Sequence, residues 1–145
     1  MMKKIVLLAT FLSIFNSAEA RVYKELTVRD VYDVILKEDI KKPKYVLAQS
    51  ALETAWYKSY NCTKRHNLFG FRSSSWVTEG NSNGYKVFTS WEESVEYYSS
   101  WQTRKGYKEG EDYLKFLSRI GYAEDPEYGW KLKSVLKRIE TKYGI

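Results

Sequence analysis

The chain predicts a mainly helical α+β fold: a bundle of helices with one small β-hairpin lobe inserted. Three observations lead there. Apolar residues recur at helical spacing over 27–39, over 43–60 and through most of the chain after Ser90. Between these windows, 61–90 is rich in Ser, Asn, Gly and aromatics and loses the helical period. Capping patterns stand in front of the helical windows and mark where they begin.

The first twenty residues stand apart. Lys3 and Lys4 precede an apolar run from Ile5 to Phe15, and Ala18-Glu19-Ala20 has the small-x-small pattern of a cleavage site. That is the layout of a secretory signal peptide. The run is too short for a bilayer, which takes about 20 apolar residues. The expected mature chain is therefore 21–145, one domain, exported to the periplasm or beyond and not inserted in the membrane.

Each later element has its own signal. Thr27 and Asp30 form a capping pattern ahead of Val28, Val31, Tyr32, Ile35 and Leu36 on one helical face. Lys41-Lys42 is a break, and Pro43 is placed to open a second helix. The window Tyr45–Tyr57 contains no Gly, no Pro and three alanines, and this helix is expected to fade near Tyr60. Trp76-Val77-Thr78 and Tyr85-Lys86-Val87-Phe88 read as strands joined by a turn over 79–84. Ser90 to Glu93 is a capping box, with Trp91, Val95, Tyr98 and Trp101 pointing inward. A further helix runs from about Glu111 to Gly121, a suitable C-cap. Asp125 then reads as an N-cap with Pro126 at the first helical position. The last helix carries Tyr128, Leu132, Val135, Leu136, Ile139 and Tyr143 on one face.

Composition narrows the chemistry. The single cysteine allows no internal disulfide, so stability must come from the core. Net charge is +6, and the leader takes only two of the 24 basic and one of the 18 acidic residues, so the mature chain stays basic. Its lysines are dispersed and form no nucleic-acid motif; an exported basic protein is expected to meet an anionic envelope polymer. Thirteen tyrosines and five tryptophans supply flat faces suited to sugar rings. The one histidine argues against a histidine-rich zinc site and would force any Ser-His-Asp triad through His66. Cys62 and His66 lie four residues apart with no evident orienting partner, which disfavours a cysteine nucleophile. Neither a phosphate loop nor a calcium loop is present, so no cofactor and no metal are expected.

Carboxylates remain. Glu53 is the only charged side chain in the buried-looking window Tyr45–Tyr57. Burial raises a carboxyl's pKa, and a neutral carboxyl near pH 7 can donate a proton. A structural hydrogen bond or ion pair is the alternative role. Glycosidic cleavage needs such an acid, with attack from water, a second carboxylate or the substrate's acetamido group. Glu79 and Asp125 are the candidates for the second carboxylate.

Three blocks carry a family resemblance: Ala48-Gln-Ser-Ala-Leu-Glu-Thr-Ala-Trp56, Asn67-Leu-Phe-Gly-Phe-Arg72 and Gly121-Tyr-Ala-Glu-Asp-Pro-Glu-Tyr128. In this order they resemble the endo-β-N-acetylglucosaminidases, peptidoglycan hydrolases of glycoside hydrolase family 73 with a lysozyme-like fold. The similarity runs from roughly Pro43 to Tyr143. It implies a lysozyme-like helical bundle with Glu53 as general acid. Glu79 would match the family's second glutamate, being the only acidic residue between Glu53 and Trp91. The resemblance makes Tyr122 a catalytic tyrosine and places Gln49, Trp56, Asn67, Phe69, Gly70, Asp125 and Tyr128 around the substrate. The hairpin is short for the family, and the wall-binding repeats of many relatives are absent from this sequence.

The expected function is an exported, metal-independent and monomeric hydrolase that cuts the N-acetylglucosaminyl-β-1,4 bond of peptidoglycan glycan strands. Its rivals are a muramidase or lytic transglycosylase on the same framework, a non-catalytic glycan-binding module, and a secreted inhibitor or structural partner.

Overall fold

A computed structural model gives the fold for residues 24–73, 84–122 and 125–145. Helix α1, Val28–Lys37, begins as its capping pattern requires. Thr27 Oγ1 accepts from the Asp30 N–H at 3.1 Å, and the Asp30 carboxylate accepts from the Thr27 N–H at 3.2 Å. Its inner face holds Val28, Val31 and Ile35; Leu36, expected beside them, is 51% exposed.

Helix α2, Pro43–Glu53, is the central element and contacts both α1 and α6. Its residues from Val46 through Ala51 are all buried, as the small and apolar circumference predicted. It ends at Glu53, well before Tyr60. The chain then passes through three left-handed residues, Ala55 (φ 48°), Trp56 (59°) and Tyr57 (69°). Thr54 accounts for the stop. Its hydroxyl donates to the Ser50 carbonyl at 2.6 Å and accepts from the Tyr57 N–H at 2.9 Å, while its carbonyl receives the N–H groups of Lys58 and Ser59. A side chain that competes for backbone partners ends the helix where the apolar pattern alone would continue it.

A short helix that the pattern did not foretell, α3 (Tyr60–Thr63), is capped by Ser59. Helix α4 spans Trp91–Arg104. Ser90 Oγ accepts from the Glu93 N–H at 3.2 Å, but the Glu93 carboxylate returns to the N–H and hydroxyl of Thr89, both at 2.7 Å. Asp112 caps α5, Tyr113–Arg119. Helix α6, Tyr128–Tyr143, buries Leu132 and Ile139. It starts later than expected: Asp125 Oδ1 accepts from the Glu127 N–H at 2.9 Å, so Asp125 and Pro126 form a turn ahead of the helix.

The β pairing also differs from expectation. Arg72 and Tyr85 form an antiparallel bridge, flanked by Ser73 N–H to Gly84 O and Lys86 N–H to Phe71 O, each at 2.8 Å. Tyr85 thus pairs with the 71–73 segment, and no regular strand forms among the described residues. The expected strand Trp76–Thr78 and most of the 79–84 turn lie outside them. The fold class is the expected one, mainly helical; among the described residues the β pairing is this one bridge.

The aromatic residues form a continuous core beneath the 67–73 loop. Phe71 meets Tyr97 at 4.8 Å and Trp101 at 5.6 Å, and Phe69 meets Tyr98 at 4.5 Å between ring centroids. Among the described residues no helix is long and apolar enough to cross a membrane.

Candidate active site

Glu53 is the last residue of α2 and is half-buried. Burial pushes its carboxyl above the ordinary range, and the Tyr128 hydroxyl, which favours the charged form, offsets only part of that push. Its place at a helix C-terminus acts in the same direction, because the carbonyl end of the helix dipole disfavours a negative charge. A carboxyl so placed holds its proton to higher pH than a solvated one, as a general acid must.

The 67–73 loop brings its backbone against this carboxyl. Gly70 sits at φ +67°, and Glu53 Oε2 lies 3.4 Å from where a β-carbon on residue 70 would stand. Glycine is therefore favoured twice, by the left-handed backbone and by the carboxyl above it. Asn67 shapes the loop from inside. Its Oδ1 accepts from the N–H groups of Phe69 (3.3 Å) and Phe71 (3.0 Å), and its Nδ2 donates to the carbonyls of Phe71 and Lys86, both at 2.9 Å. Asn67 has no exposed surface and Phe69 is 1% exposed, so both support the site's floor from below.

Two tyrosines close the other side. The Tyr122 hydroxyl donates to the Phe69 carbonyl at 2.7 Å. Its ring stands edge-on to Trp101 at 5.6 Å and to Tyr128 at 5.8 Å. Burial raises the pKa of both tyrosines, and the nearby Glu53 carboxylate raises them further. Both hydroxyls therefore stay protonated. Gln49, one turn before Glu53 on α2, is fully buried and accepts from the Tyr98 hydroxyl at 2.5 Å.

The remaining sequence candidates have other partners. Trp56 lies under the Arg138 guanidinium, 4.7 Å from its ring centroid, and shares a cavity of about 450 Å³ with Lys142 and Tyr143. Asp125 is exposed and paired with Lys131 at 2.6 Å; that ammonium and the Glu127 N–H hold its carboxyl below the ordinary range. Cys62 is 5% exposed, and burial pushes its thiol up to about 11. It shares a cavity of about 840 Å³ with His66, Tyr57 and Trp91 that Glu53 does not line. Glu79 lies outside the described residues.

The buried partners of Gln49 were not singled out in the sequence as part of the site. Tyr98 was read as inner stripe only. The signal for more was Gln102, a polar residue four positions on, where helical spacing keeps it on the same inward face.

Comparison with known proteins gives the chain a family and a shared fold. The Glucosaminidase family, described as mannosyl-glycoprotein endo-beta-N-acetylglucosaminidase, matches residues 29–141. The peptidoglycan hydrolase FlgJ of Pseudomonas aeruginosa is 29% identical over 130 residues; the match takes in 70% of this chain but only 32% of that protein, so the chain spans about a third of the relative's length. A peptidoglycan hydrolase from Sphingomonas sp. A1 shares the fold with a TM-score of 0.59 at 23% identity, over 76% of this chain and 83% of that one. The truncated glycoside hydrolase domain of Salmonella typhimurium FlgJ gives a TM-score of 0.57 at 22% identity, over 79% and 93%.

Proposed function

Because this chain belongs to the glucosaminidase family of glycoside hydrolases, we propose that it is an exported enzyme that hydrolyses the N-acetylglucosaminyl-β-1,4 bond of peptidoglycan, with Glu53 as its general acid. The observation that supports this best is the Glu53 carboxyl itself: half-buried, shifted toward its protonated form, set against the Gly70 backbone and beside a tyrosine hydroxyl.

In the reaction, the Glu53 carboxyl gives its proton to the glycosidic oxygen as the bond from that oxygen to the sugar carbon breaks. The departing strand leaves as an alcohol and the sugar carbon becomes cationic. Either water deprotonated by Glu79, or the substrate's own acetamido oxygen followed by water, supplies the new C–O bond. The water proton restores the acid pair. Tyr122 and Tyr128, protonated and rigidly packed, frame the reacting sugar. Asn67 and Phe69 hold the Gly70 backbone close to the carboxyl, and Gln49 steadies the tyrosines from below. Trp56 and Asp125 belong to the outer walls. The basic surface draws the enzyme to an anionic wall, and the leader through Ala20 delivers it there.

The test is to incubate the mature protein and Glu53→Gln with purified peptidoglycan and to identify the released ends by mass spectrometry, before and after reduction. Reducing N-acetylglucosamine ends that vanish with Glu53→Gln are the expected result. Muramic-acid ends, ordinary or anhydro, would move the enzyme to the muramidase or transglycosylase chemistry. Wall binding without any new ends, equal in both proteins, would leave a glycan-binding module.

A further inference from the structure

The outer face of α6 carries side chains that the fold does not use. At about 3.6 residues per turn, Trp130, Lys133, Ser134, Lys137, Arg138 and Thr141 fall within an arc of about 140° along about 16 Å of the helix. All of them are exposed, whereas Leu132 and Ile139 are buried and α6 packs on α2. Trp130 is 72% exposed, so its indole adds little to the core. Of the other cations on α6, Lys131 is paired with Asp125 at 2.6 Å, and Lys142 stands 5.4 Å from the Tyr143 ring centroid. Lys133 and Lys137 form no ion pair among the described residues. The helix dipole favours a cation in the last turn, which accounts for Lys142 but not for these two. Acids stand only at the margins of the strip: Glu127 is the N-cap, and Glu140 reaches Lys44 at 4.0 Å.

Cations left side by side without acids repel one another, and a bound anion relieves that. The chemistry of the strip decides which anion fits. A bilayer needs an apolar stripe to sink into, but the apolar side of α6 is buried and Trp130 is the only large apolar side chain on the outer arc. A glycan needs a flat apolar face for a ring and donors for its substituents, and Trp130 with its neighbouring cations supplies both. Arg138 adds a planar fork matched to a carboxylate, held 4.7 Å over the Trp56 ring. Trp56 lies three residues after Glu53, so this end of the strip adjoins the segment that leaves the acid.

We propose that the outer face of α6 is a second, non-catalytic binding surface for carboxylate-bearing glycan strands of the wall, on which Trp130 takes the face of a sugar ring while Lys133, Lys137 and Arg138 take the carboxylates. The inference rests on the reading of peptidoglycan as the substrate. Its role is to hold the enzyme on the wall between cuts, and it touches none of the reacting atoms.

The test measures co-sedimentation with purified insoluble peptidoglycan, in Glu53→Gln so that the wall is not consumed. Added to that background, Trp130→Ala should weaken binding about tenfold, as the loss of an aromatic anchor does. Lys133→Gln together with Lys137→Gln should weaken it about fivefold, as two exposed charge pairs do, and should flatten its salt dependence. Lys105→Gln together with Lys115→Gln, exposed lysines elsewhere, removes the same charge and should leave binding unchanged to within about twofold. With Glu53 restored, the strip variants should cleave a short soluble glycan fragment at the parent's kcat/KM and intact walls more slowly. Equal wall binding by Glu53→Gln and the folded strip variants overturns the proposal. A loss from Lys105 and Lys115 as large as that from the strip also overturns it, leaving net charge alone. Binding to vesicles of anionic phospholipid that Trp130→Ala abolishes, with wall binding unmoved, overturns it in favour of a membrane. Each variant's melting curve shows whether it is folded, and if only one strip variant folds, that variant decides. The two failures are distinguishable: a parent that releases no new glycan ends would overturn the hydrolase, whereas ends released as expected with unmoved wall binding overturn the strip alone.

Discussion

Replacing Gly70 with alanine separates the backbone strain of the loop from its contact with the acid. Gly70 and Gly106 both adopt left-handed conformations, φ +67° and +76°, but a β-carbon on Gly106 meets nothing within 4 Å whereas one on Gly70 meets Glu53 Oε2 at 3.4 Å. A left-handed alanine costs about 1–2 kcal/mol, and the stiffer unfolded chain returns roughly half of that, so each variant should lose about 1 kcal/mol. A melting temperature lower by a few degrees is expected for both. Only Gly70→Ala sets a methyl against the carboxyl, at the near limit of ordinary contact, so the acid gives by at most a few tenths of an ångström. A misplacement of about 1 Å costs on the order of 100-fold in rate, so this smaller displacement should cost about three- to tenfold in kcat. The assay is release of dye from labelled walls at a temperature well below both melting transitions. Equal activity in the two variants, at equal loss of stability, would refute the placement of Glu53 against the Gly70 backbone.

Other predictions follow from the same geometry. Because the folded state raises the Glu53 pKa, the parent loses stability as pH rises from the unfolded carboxyl's range through the folded value; Glu53→Gln escapes this loss. Glu53→Gln should therefore melt higher than the parent at pH 8 and no higher at pH 3.5, and the reverse order would refute the shift. Asn67→Ala orphans the N–H groups of Phe69 and Phe71 and the Lys86 carbonyl, while the Phe71 carbonyl keeps the Lys86 N–H, and should cost about 3 kcal/mol in urea unfolding. Thr27→Ala removes the α1 cap and should cost about 1 kcal/mol by the same measurement, with wall hydrolysis unchanged. The Cys62 thiol, held protonated by burial, should resist thiol-reactive dyes at pH 8 until the protein is unfolded, and rapid labelling of the native protein would contradict its packing.

The starts of α1 and α4 were legible because caps are local. Thr27 with Asp30 and Ser90 with Glu93 state their business within four residues, and the structure departs only in sending the Glu93 carboxylate to Thr89. The end of α2 was not legible. No glycine marks the left-handed run Ala55–Tyr57; it is held by Thr54 hydrogen bonds and by the Tyr57 hydroxyl meeting Ser50 Oγ at 2.9 Å, and tertiary contacts of that kind leave no periodic trace. The buried circumference of α2 was readable and picked out Glu53 as an exception on it. The roles of Asn67 and Gln49 were less so. Both sat in blocks that suggested a sugar groove, yet in the fold they face inward: Asn67 is satisfied there by four backbone partners, and Gln49 by the Tyr98 hydroxyl at its Oε1 alone. The pairing of Tyr85 with Arg72 was not legible, because short aromatic runs with Ser and Gly between them permit several registers.

The position of Trp101 also makes the site optically readable. Trp101 is 8% exposed and meets the edge of Tyr122, whereas Trp130 on α6 is 72% exposed. Indole emission shifts to shorter wavelength in an apolar setting, and iodide quenches only what it can reach. Iodide therefore quenches Trp130 more strongly than Trp101, and part of the blue emission that remains comes from the ring packed against Tyr122. A glycan fragment that shifts Tyr122 will change that emission without any label. The signal survives in Glu53→Gln, where occupancy can be followed with turnover switched off.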